Sequence, residues 1–370
     1  MNKIKILTVF GTRPEVIKLA PFIKEVESDS DCINITCATT QHRELQNDVL
    51  NLFGVLPDYD LDVMTQTQDL FDVTTSVLEK MKGVLDETSP DYIVVQGDTT
   101  TAFASALAAF YKKIPIVHVE AGLRTGNLSS PFPEEANRSL ISRIAKLHMA
   151  PTERAVENLR HEGITNNVFK VGNTIVDSVH WSLKNFKAQS SFIKEKIQTP
   201  ELKVLITVHR RENFGEPLRN ICEAIKTIVH QYPDITFIWP LHPNPNVRQV
   251  VLEAVGTKPN LHLIEPLIYS DLLLLMNACR LILSDSGGIQ EEACILGKQL
   301  LILRENSERM EFVESGLGHL VGSDPEKIVT QFTSLMKDSQ ELPSWSEFHS
   351  VYGMPGVSKN ILTIMKKALG

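Results

Sequence analysis

The chain has 370 residues, too many for one ordinary hydrophobic core, and its 42% hydrophobic and 22% charged residues exclude a disordered or fibrous protein. A formal net charge of -8 gives no general affinity for nucleic acid or an anionic membrane, so an anionic ligand has to be held by local geometry, at helix ends and by a few placed cations. The five cysteines, Cys32, Cys37, Cys222, Cys279 and Cys294, form no CxxC pair and are odd in number, which argues against a disulfide framework or zinc site and for small core residues.

In chain order, the N-terminus MNKIKILTVFGTRPE enters a turn at once, without a signal-peptide h-region. No later run approaches the roughly 20 apolar residues of a membrane span, and a soluble cytoplasmic protein is expected. The runs KIKILTVF, INITCATT, DYIVVQGD, IPIVHVE and FKVG read as buried strands, with helical spacing of apolar residues between them. Over 14–27, Val16, Leu19, Ala20, Ile23 and Val26 line one helix face. The alternation restarts at KVLITVHRREN and continues through ITFIWPLH, LHLIEP, LILSDSGG, QLLILR and GHLVG. This βαβ pattern predicts an α/β protein of parallel sheets covered by helices. The two series, divided by a charged stretch at about 184–202, predict two Rossmann-like domains facing a central cleft. The expected domains are 1–185, with a terminal helix over about 356–370 packed back on it, and 186–355.

In such folds ligands bind beyond the carboxyl ends of the strands. After the first strand, GTRPE offers Thr12 as N-cap, Pro14 at the first helical position and Glu15 as the capping-box partner. Helix capping leaves Arg13 unexplained. QGDTTT puts Asp98 at a strand end, where it is either an ordinary N-cap or a functional carboxylate, and Glu120 closes the next buried strand. SPFPEEANR opens a helix with Glu134 and Glu135 in its first turn, a common place for acids. In the second half, ITVHRREN sets His209, Arg210, Arg211 and Glu212 directly after a strand, an anion-binding and acid–base edge. His242 ends another strand in PLHPNPNV, and Arg304, Glu308 and Arg309 follow the strand after SDSGG. The glycines of SDSGG fit either a tight strand–helix turn or a phosphate cradle at a helix start. Neither a Walker A loop nor GxGxxG is present, and no metal-ligand spacing appears. An enzyme acting on a nucleotide-linked substrate accounts for the whole set.

The ordered motifs FGTRPEVIKLAP, TQHREL, PDYDL, GDTTT, HVEAGLRTG, SPFPEEANR, GNTIVD, HRREN, LHPNPNV, LIEPL and DSGGIQEEA resemble those of the non-hydrolysing UDP-N-acetylglucosamine 2-epimerases. The resemblance implies a GT-B fold, a homodimer, no cofactor, and C2 epimerisation of UDP-N-acetylglucosamine through 2-acetamidoglucal and UDP, in the service of cell-surface polysaccharide synthesis. It also implies roles. Asp98, Glu120 and Glu134 match the acid–base carboxylates, and His209 a partner of the departing diphosphate. Arg13 and Lys18 match residues supporting the site and UDP; Ser286, Gly287 and Gly288 the phosphate cradle; Glu292 the ribose ligand; Arg309 a residue near the nucleotide. Gln41, Arg210 and His242 match a second UDP-N-acetylglucosamine site that activates bacterial members.

The chain departs from the family pattern at Thr40, Gln96, Met310 and Phe312, and reads EACILGKQ over 292–299. The changes beside Arg309 leave a modified UDP-sugar open. A hydrolysing epimerase, a GT-B glycosyltransferase and a non-catalytic nucleotide-sugar sensor are the alternatives. The retained QHR and HRRE motifs argue against hydrolysis, and the three carboxylates against the last two.

Overall fold

A computed structural model describes residues 3–39, 43–63, 69–307, 309–337 and 351–369. The chain forms two compact units, Met1–Trp181 with Tyr352–Gly370, and Ser182–Val351.

The first unit is built on a parallel sheet of seven strands in the order β3-β2-β1-β4-β5-β6-β7. These are β1 (Ile4–Phe10), β2 (Cys32–Ala38), β3 (Tyr59–Asp60), β4 (Tyr92–Gln96), β5 (Ile116–Val119), β6 (Leu147–Ala150) and β7 (Val168–Lys170). The helices between them are α1 (Arg13–Ser28), α2 (Arg43–Phe53), α3 (Leu70–Thr88), α4 (Thr100–Tyr111), α5 (Glu134–Ile144) and α6 (Glu153–His161). The division between units falls inside α7 (Ile175–Asn185).

Burial follows the sequence pattern. Val16, Leu19, Ala20, Ile23 and Val26 of α1 are all buried, each aliphatic side chain worth about 1.5–3 kcal/mol when removed from water. Helix α1 begins at Arg13, so Pro14 is its second residue rather than its first. Two strands lie outside the series expected from apolar runs. Strand β3 has only two residues, and β6 carries His148 in its middle, opposite His118 of β5. Burial pushes both imidazoles down, His118 to about 3 and His148 to about 4, so both are neutral at physiological pH and sit within an apolar sheet.

The second unit repeats the topology with six parallel strands ordered β10-β9-β8-β11-β12-β13. They are β8 (Lys203–Thr207), β9 (Thr236–Pro240), β10 (Leu261–Ile264), β11 (Leu281–Ser284), β12 (Gln299–Ile302) and β13 (Gly318–Leu320). Its helices are α8 (Ser191–Gln198), α9 (Glu216–Gln231), α10 (Pro245–Val255), α11 (Tyr269–Ala278), α12 (Gly287–Ile295), α13 (Met310–Glu314) and α14 (Pro325–Lys337). The terminal α15 (Val357–Leu369) belongs to the first unit, where Lys366 reaches Asp29 and Asp31 at the end of α1 and Tyr92 Oη donates to the Met365 carbonyl. All five cysteines are unpaired and buried. Among the described residues no helix is long and apolar enough to cross a membrane.

Each sheet has a topological switch, between β1 and β4 in one and between β8 and β11 in the other. A doubly wound sheet opens there, because the connections on either side leave in opposite directions.

Candidate functional site

At the first switch the loops after β1 and β4 come together. Gly11 has no room for a side chain, since a Cβ would stand 2.3 Å from Thr39 Oγ1 and 2.5 Å from Thr101 Oγ1. Glu15 is fully buried and accepts from the N–H of Gly11 at 3.0 Å, the N–H of Thr12 at 2.7 Å and Thr99 Oγ1 at 2.7 Å. Burial raises its carboxyl above the usual range, against the opposing pull of these donors. Thr99 itself caps α4 by accepting from Ala102 N–H. Asp98 is therefore not the cap, and its carboxylate is left to pair elsewhere.

That partner is Arg138, one turn beyond Glu134 on α5. The guanidinium pairs with Asp98, lies 3.5 Å from Glu120 Oε1, and donates to the Glu120 carbonyl at 2.7 Å. Glu120 is buried, ion-pairs with Lys18 through Oε2, and accepts from Asn173 Nδ2 at 3.3 Å. Its backbone is left-handed, with φ 64°, a conformation that costs a non-glycine residue about 1–3 kcal/mol and persists where the surroundings over-determine it. Asn137 donates to the Asp98 carbonyl, and His118 Nε2 to the Gly97 carbonyl. Lys18, Glu120, Arg138 and Asp98 thus form one charge-balanced group. Glu134 is half-buried at the start of α5, four residues before Arg138. Glu135, not Glu134, clamps the loop after β5, accepting from the N–H groups of Thr125 and Gly126.

At the second switch, Asp285 follows β11 and His209 lies just beyond β8. The Asp285 carboxylate takes the N–H of Arg210 at 2.9 Å, Asn213 Nδ2 at 2.9 Å and the N–H of His209 at 3.0 Å, with His209 Nδ1 3.2 Å from Oδ1. Burial alone would raise this carboxyl; His209, Arg210 and Asn213 outweigh it and hold it below the ordinary range. The ring of exposed His242 stacks on His209 with centroids 5.8 Å apart and planes 22° apart. Glu212 is taken up by Arg304, at 2.6 Å from Nε.

Ser286 is the N-cap of α12, whose first N–H groups lack partners within the helix. The two glycines that follow differ. A Cβ on Gly287 would lie 2.8 Å from Arg309 Nη1, whereas one on Gly288 meets nothing within 4 Å. Glycine at 287 therefore admits the guanidinium of Arg309, which is held by Glu291 at 2.9 Å, and at 288 the helix start opens onto free space. Glu292 is buried one residue further along α12.

The sequence-derived candidates thus fall into separate groups: Asp98, Glu120 and Lys18 in one hydrogen-bonded set with Glu134 and Arg13 on neighbouring helix starts, and His209, Arg210, His242, Ser286, Gly287, Gly288, Glu292 and Arg309 in the second unit. Gln41 and Glu308 lie outside the described residues. Arg138, Asn173 and Asp285 were missed as candidates. No local spacing signalled Arg138, whose partners are distant in sequence; for Asp285 the signal was its position directly after a buried strand.

Two doubly wound domains, each with polar groups collected at its switch, define the GT-B class of fold. The crystal structure of Acinetobacter baumannii MurG, at 16% identity and TM-score 0.59 over 99% of both chains, shares that fold alone. The sequence goes further than the fold. The chain belongs to the UDP-N-acetylglucosamine 2-epimerase family, whose family model matches residues 24–366, and it is an enzyme of that family, an isomerase. It is 44% identical to the UDP-N-acetylglucosamine 2-epimerase of Escherichia coli strain K12 over 98% of each chain. The structure of the Neisseria meningitidis enzyme bound to UDP-GlcNAc matches at 44% identity and TM-score 0.89, covering 98% of this chain and 100% of that one. The Methanocaldococcus jannaschii enzyme in complex with UDP-GlcNAc and UDP matches at 34% identity and TM-score 0.84, with coverage of 98% and 100%.

Proposed function

We propose that this cytoplasmic enzyme interconverts UDP-N-acetylglucosamine and UDP-N-acetylmannosamine by eliminating UDP across C1 and C2 and adding it back. The UDP-GlcNAc bound to the Neisseria meningitidis relative supports the substrate. The charge-balanced group of Lys18, Glu120, Arg138 and Asp98 carries the reading of the chemistry. The C2 proton is not next to a carbonyl and is barely acidic, so its removal needs a placed base and a stabilised leaving group together. A carboxylate takes that proton while the C1–O bond to UDP breaks, leaving 2-acetamidoglucal. UDP then adds back at C1 as a carboxylic acid protonates C2 from the other face.

Both oxygens of Glu120 are engaged, by Lys18, Asn173 and Arg138, so a proton arriving there must displace a partner. Glu134 and the more exposed Asp98 are the freer groups for proton exchange, and Glu120 fixes the positions of Lys18 and Arg138. In the second unit the first turn of α12 and Arg309 hold the diphosphate, Glu292 the ribose, and His209 meets the charge that grows on the departing phosphate. In the first unit, Arg13 is the residue we assign to UDP. The enzyme is a homodimer, and a second UDP-sugar acts as activator through Gln41, Arg210 and His242; the stacking of His242 on His209 supports such a link to the reaction.

Proton NMR of the protein with UDP-N-acetylglucosamine in D₂O tests the reading. Deuterium entering at C2 while UDP-N-acetylmannosamine appears is the expected result. Free N-acetylmannosamine with UDP would mean the hydrolysing reaction, and no change would overturn the substrate assignment.

A further inference from the structure

We propose that Asp285 is a positioning residue for His209: its carboxylate fixes the ring proton on Nδ1 and so leaves Nε2 as the nitrogen that faces the departing diphosphate. The inference rests on the reading above, in which the diphosphate departs at the first turn of α12.

Asp285 is fully buried, and a carboxylate withdrawn from water needs donors on both oxygens. It finds them all on the loop after β8. Oδ2 receives the N–H groups of His209 and Arg210 and the side-chain amide of Asn213, which is itself anchored to the Leu303 carbonyl at 3.1 Å. Oδ1 faces His209 Nδ1 at 3.2 Å. Oδ1 also receives the His209 N–H at 3.2 Å; an ionised carboxylate only accepts, so the approach of Nδ1 to Oδ1 is attractive with the hydrogen on Nδ1 and repulsive without it. The bonded donors hold the Asp285 carboxyl below its ordinary range. The other donors to Asp285 are neutral, so His209 Nδ1 is the one contacting group able to bring a positive charge, with His242 within reach of the same field.

The face of the ring is fixed as well as its edge. His242 stacks on it, and His242 Nδ1 accepts the N–H of Asn244 at 3.2 Å, so that ring is tied down on its far side. About a third of the His209 side chain remains exposed, which leaves Nε2 reachable. The next residue in the chain is Ser286, the cap of α12, so one strand end supplies both the orienting carboxylate and the anion-receptive helix start. As the C1–O bond breaks, negative charge grows on the phosphate oxygen. A ring held with Nδ1–H on Asp285 can present Nε2–H to that oxygen as an imidazolium, and Asp285 keeps its charge throughout.

The first test needs no turnover. Two-bond ¹H–¹⁵N correlation spectra of the full-length protein labelled with ¹⁵N-histidine, with His209→Asn to assign the ring, should find Nδ1 protonated; a neutral ring protonated on Nε2 overturns the proposal. In Asp285→Asn the amide nitrogen replaces Oδ1 opposite Nδ1, which reverses the tautomer. A triad aspartate changed to asparagine lowers kcat by about 10⁴ through that error, and here a fall of at least about 100-fold in kcat is expected, with KM little changed. Placed in His209→Asn, the same substitution should cost less than about threefold. Additive losses, or a fall in kcat with the tautomer unchanged, would assign Asp285 a merely structural role. Should Asp285→Asn fail to fold, the wild-type tautomer still decides. A wild-type protein with Nδ1–H and no epimerisation would sink the proposed reaction and leave the role of Asp285 standing.

Discussion

Replacing Arg138 by Met takes away the guanidinium shared by Asp98 and Glu120 while keeping an unbranched side chain in its channel. The side chains of Arg138 and Glu120 are 8% and 5% exposed, and that of Asp98 is 26% exposed. Removing one partner of a buried pair costs about 3–5 kcal/mol, because the remaining charge is stranded. Lys18 still neutralises Glu120 and water still reaches Asp98, which puts the cost at the lower end, about 3 kcal/mol. The bond to the Glu120 carbonyl, which holds the left-handed residue in place, is lost as well. In a unit of roughly 200 residues a loss of that size lowers the melting temperature by about 6–12 °C. Calorimetry on wild type, Arg138→Met, Asp98→Asn and the double variant tests this. If the penalty is a stranded carboxylate, adding Asp98→Asn to Arg138→Met should restore about 1 kcal/mol or more, although the same substitution alone removes a pair. An Arg138→Met protein within about 0.5 kcal/mol of wild type, or strictly additive losses, would refute the reasoning.

Asp98→Asn, Glu120→Gln and Glu134→Gln should each leave a folded protein with at least about 100-fold slower turnover, measured by NMR; near-normal rates in all three would overturn the carboxylate assignment. Gly288→Asp should fold unchanged, since its Cβ meets nothing within 4 Å, yet weaken UDP binding by at least about tenfold in calorimetry by setting a carboxylate against the phosphate; unchanged affinity would refute the cradle at α12. His118, held at about 3 in the fold against about 6.5 unfolded, contributes stability that is complete above pH 6.5 and is lost as pH falls toward 3. At pH 5 that loss is about 2 kcal/mol. His118→Gln, which can still donate to the Gly97 carbonyl, should remove it from urea denaturation profiles, and an undiminished acid loss would contradict a neutral buried imidazole at this position.

The alternation of apolar runs made the parallel sheets legible, because a buried parallel strand needs apolar residues on both faces and KIKILTVF or LILS leaves little alternative. Strand β6 escaped because LHMA has no β-branched residue to mark it as a strand, whereas IVHV, with a histidine of its own, has three. The candidate carboxylates were legible because strand ends mark ligand sites whatever the loops do. Their partners were not. Arg138 meets Asp98 and Glu120 from 40 and 18 residues away, a contact set by where α5 packs and not by any local spacing. The role of Asp98 turned on its neighbour, since Thr99 accepts the α4 cap bond and leaves Asp98 for an ion pair. Gly287 and Gly288 read alike in sequence, and only Arg309 at the helix start separates a steric need from an open site.

The two switches show how one topology sets up two different charge environments. At the first, two carboxylates are matched by two cations within hydrogen-bonding reach, so their charges balance, with Lys18, Glu120 and Arg138 buried and Asp98 still reached by water. At the second, Glu291 offsets Arg309 and Asp285 faces His209, which leaves the partial positive charge of the α12 start to receive an anion. An anion gains most where positive charge has no partner, and a weak C–H acid is ionised best where carboxylates are held in place before it arrives. The charge ledger of each switch thus agrees with the proposed roles, carboxylates in the first unit and an anion-receptive helix start in the second. A chain with Arg309 neutralised but Glu291 retained would reverse the sign at α12, and UDP affinity should fall more steeply for Arg309→Met alone than for Arg309→Met with Glu291→Gln.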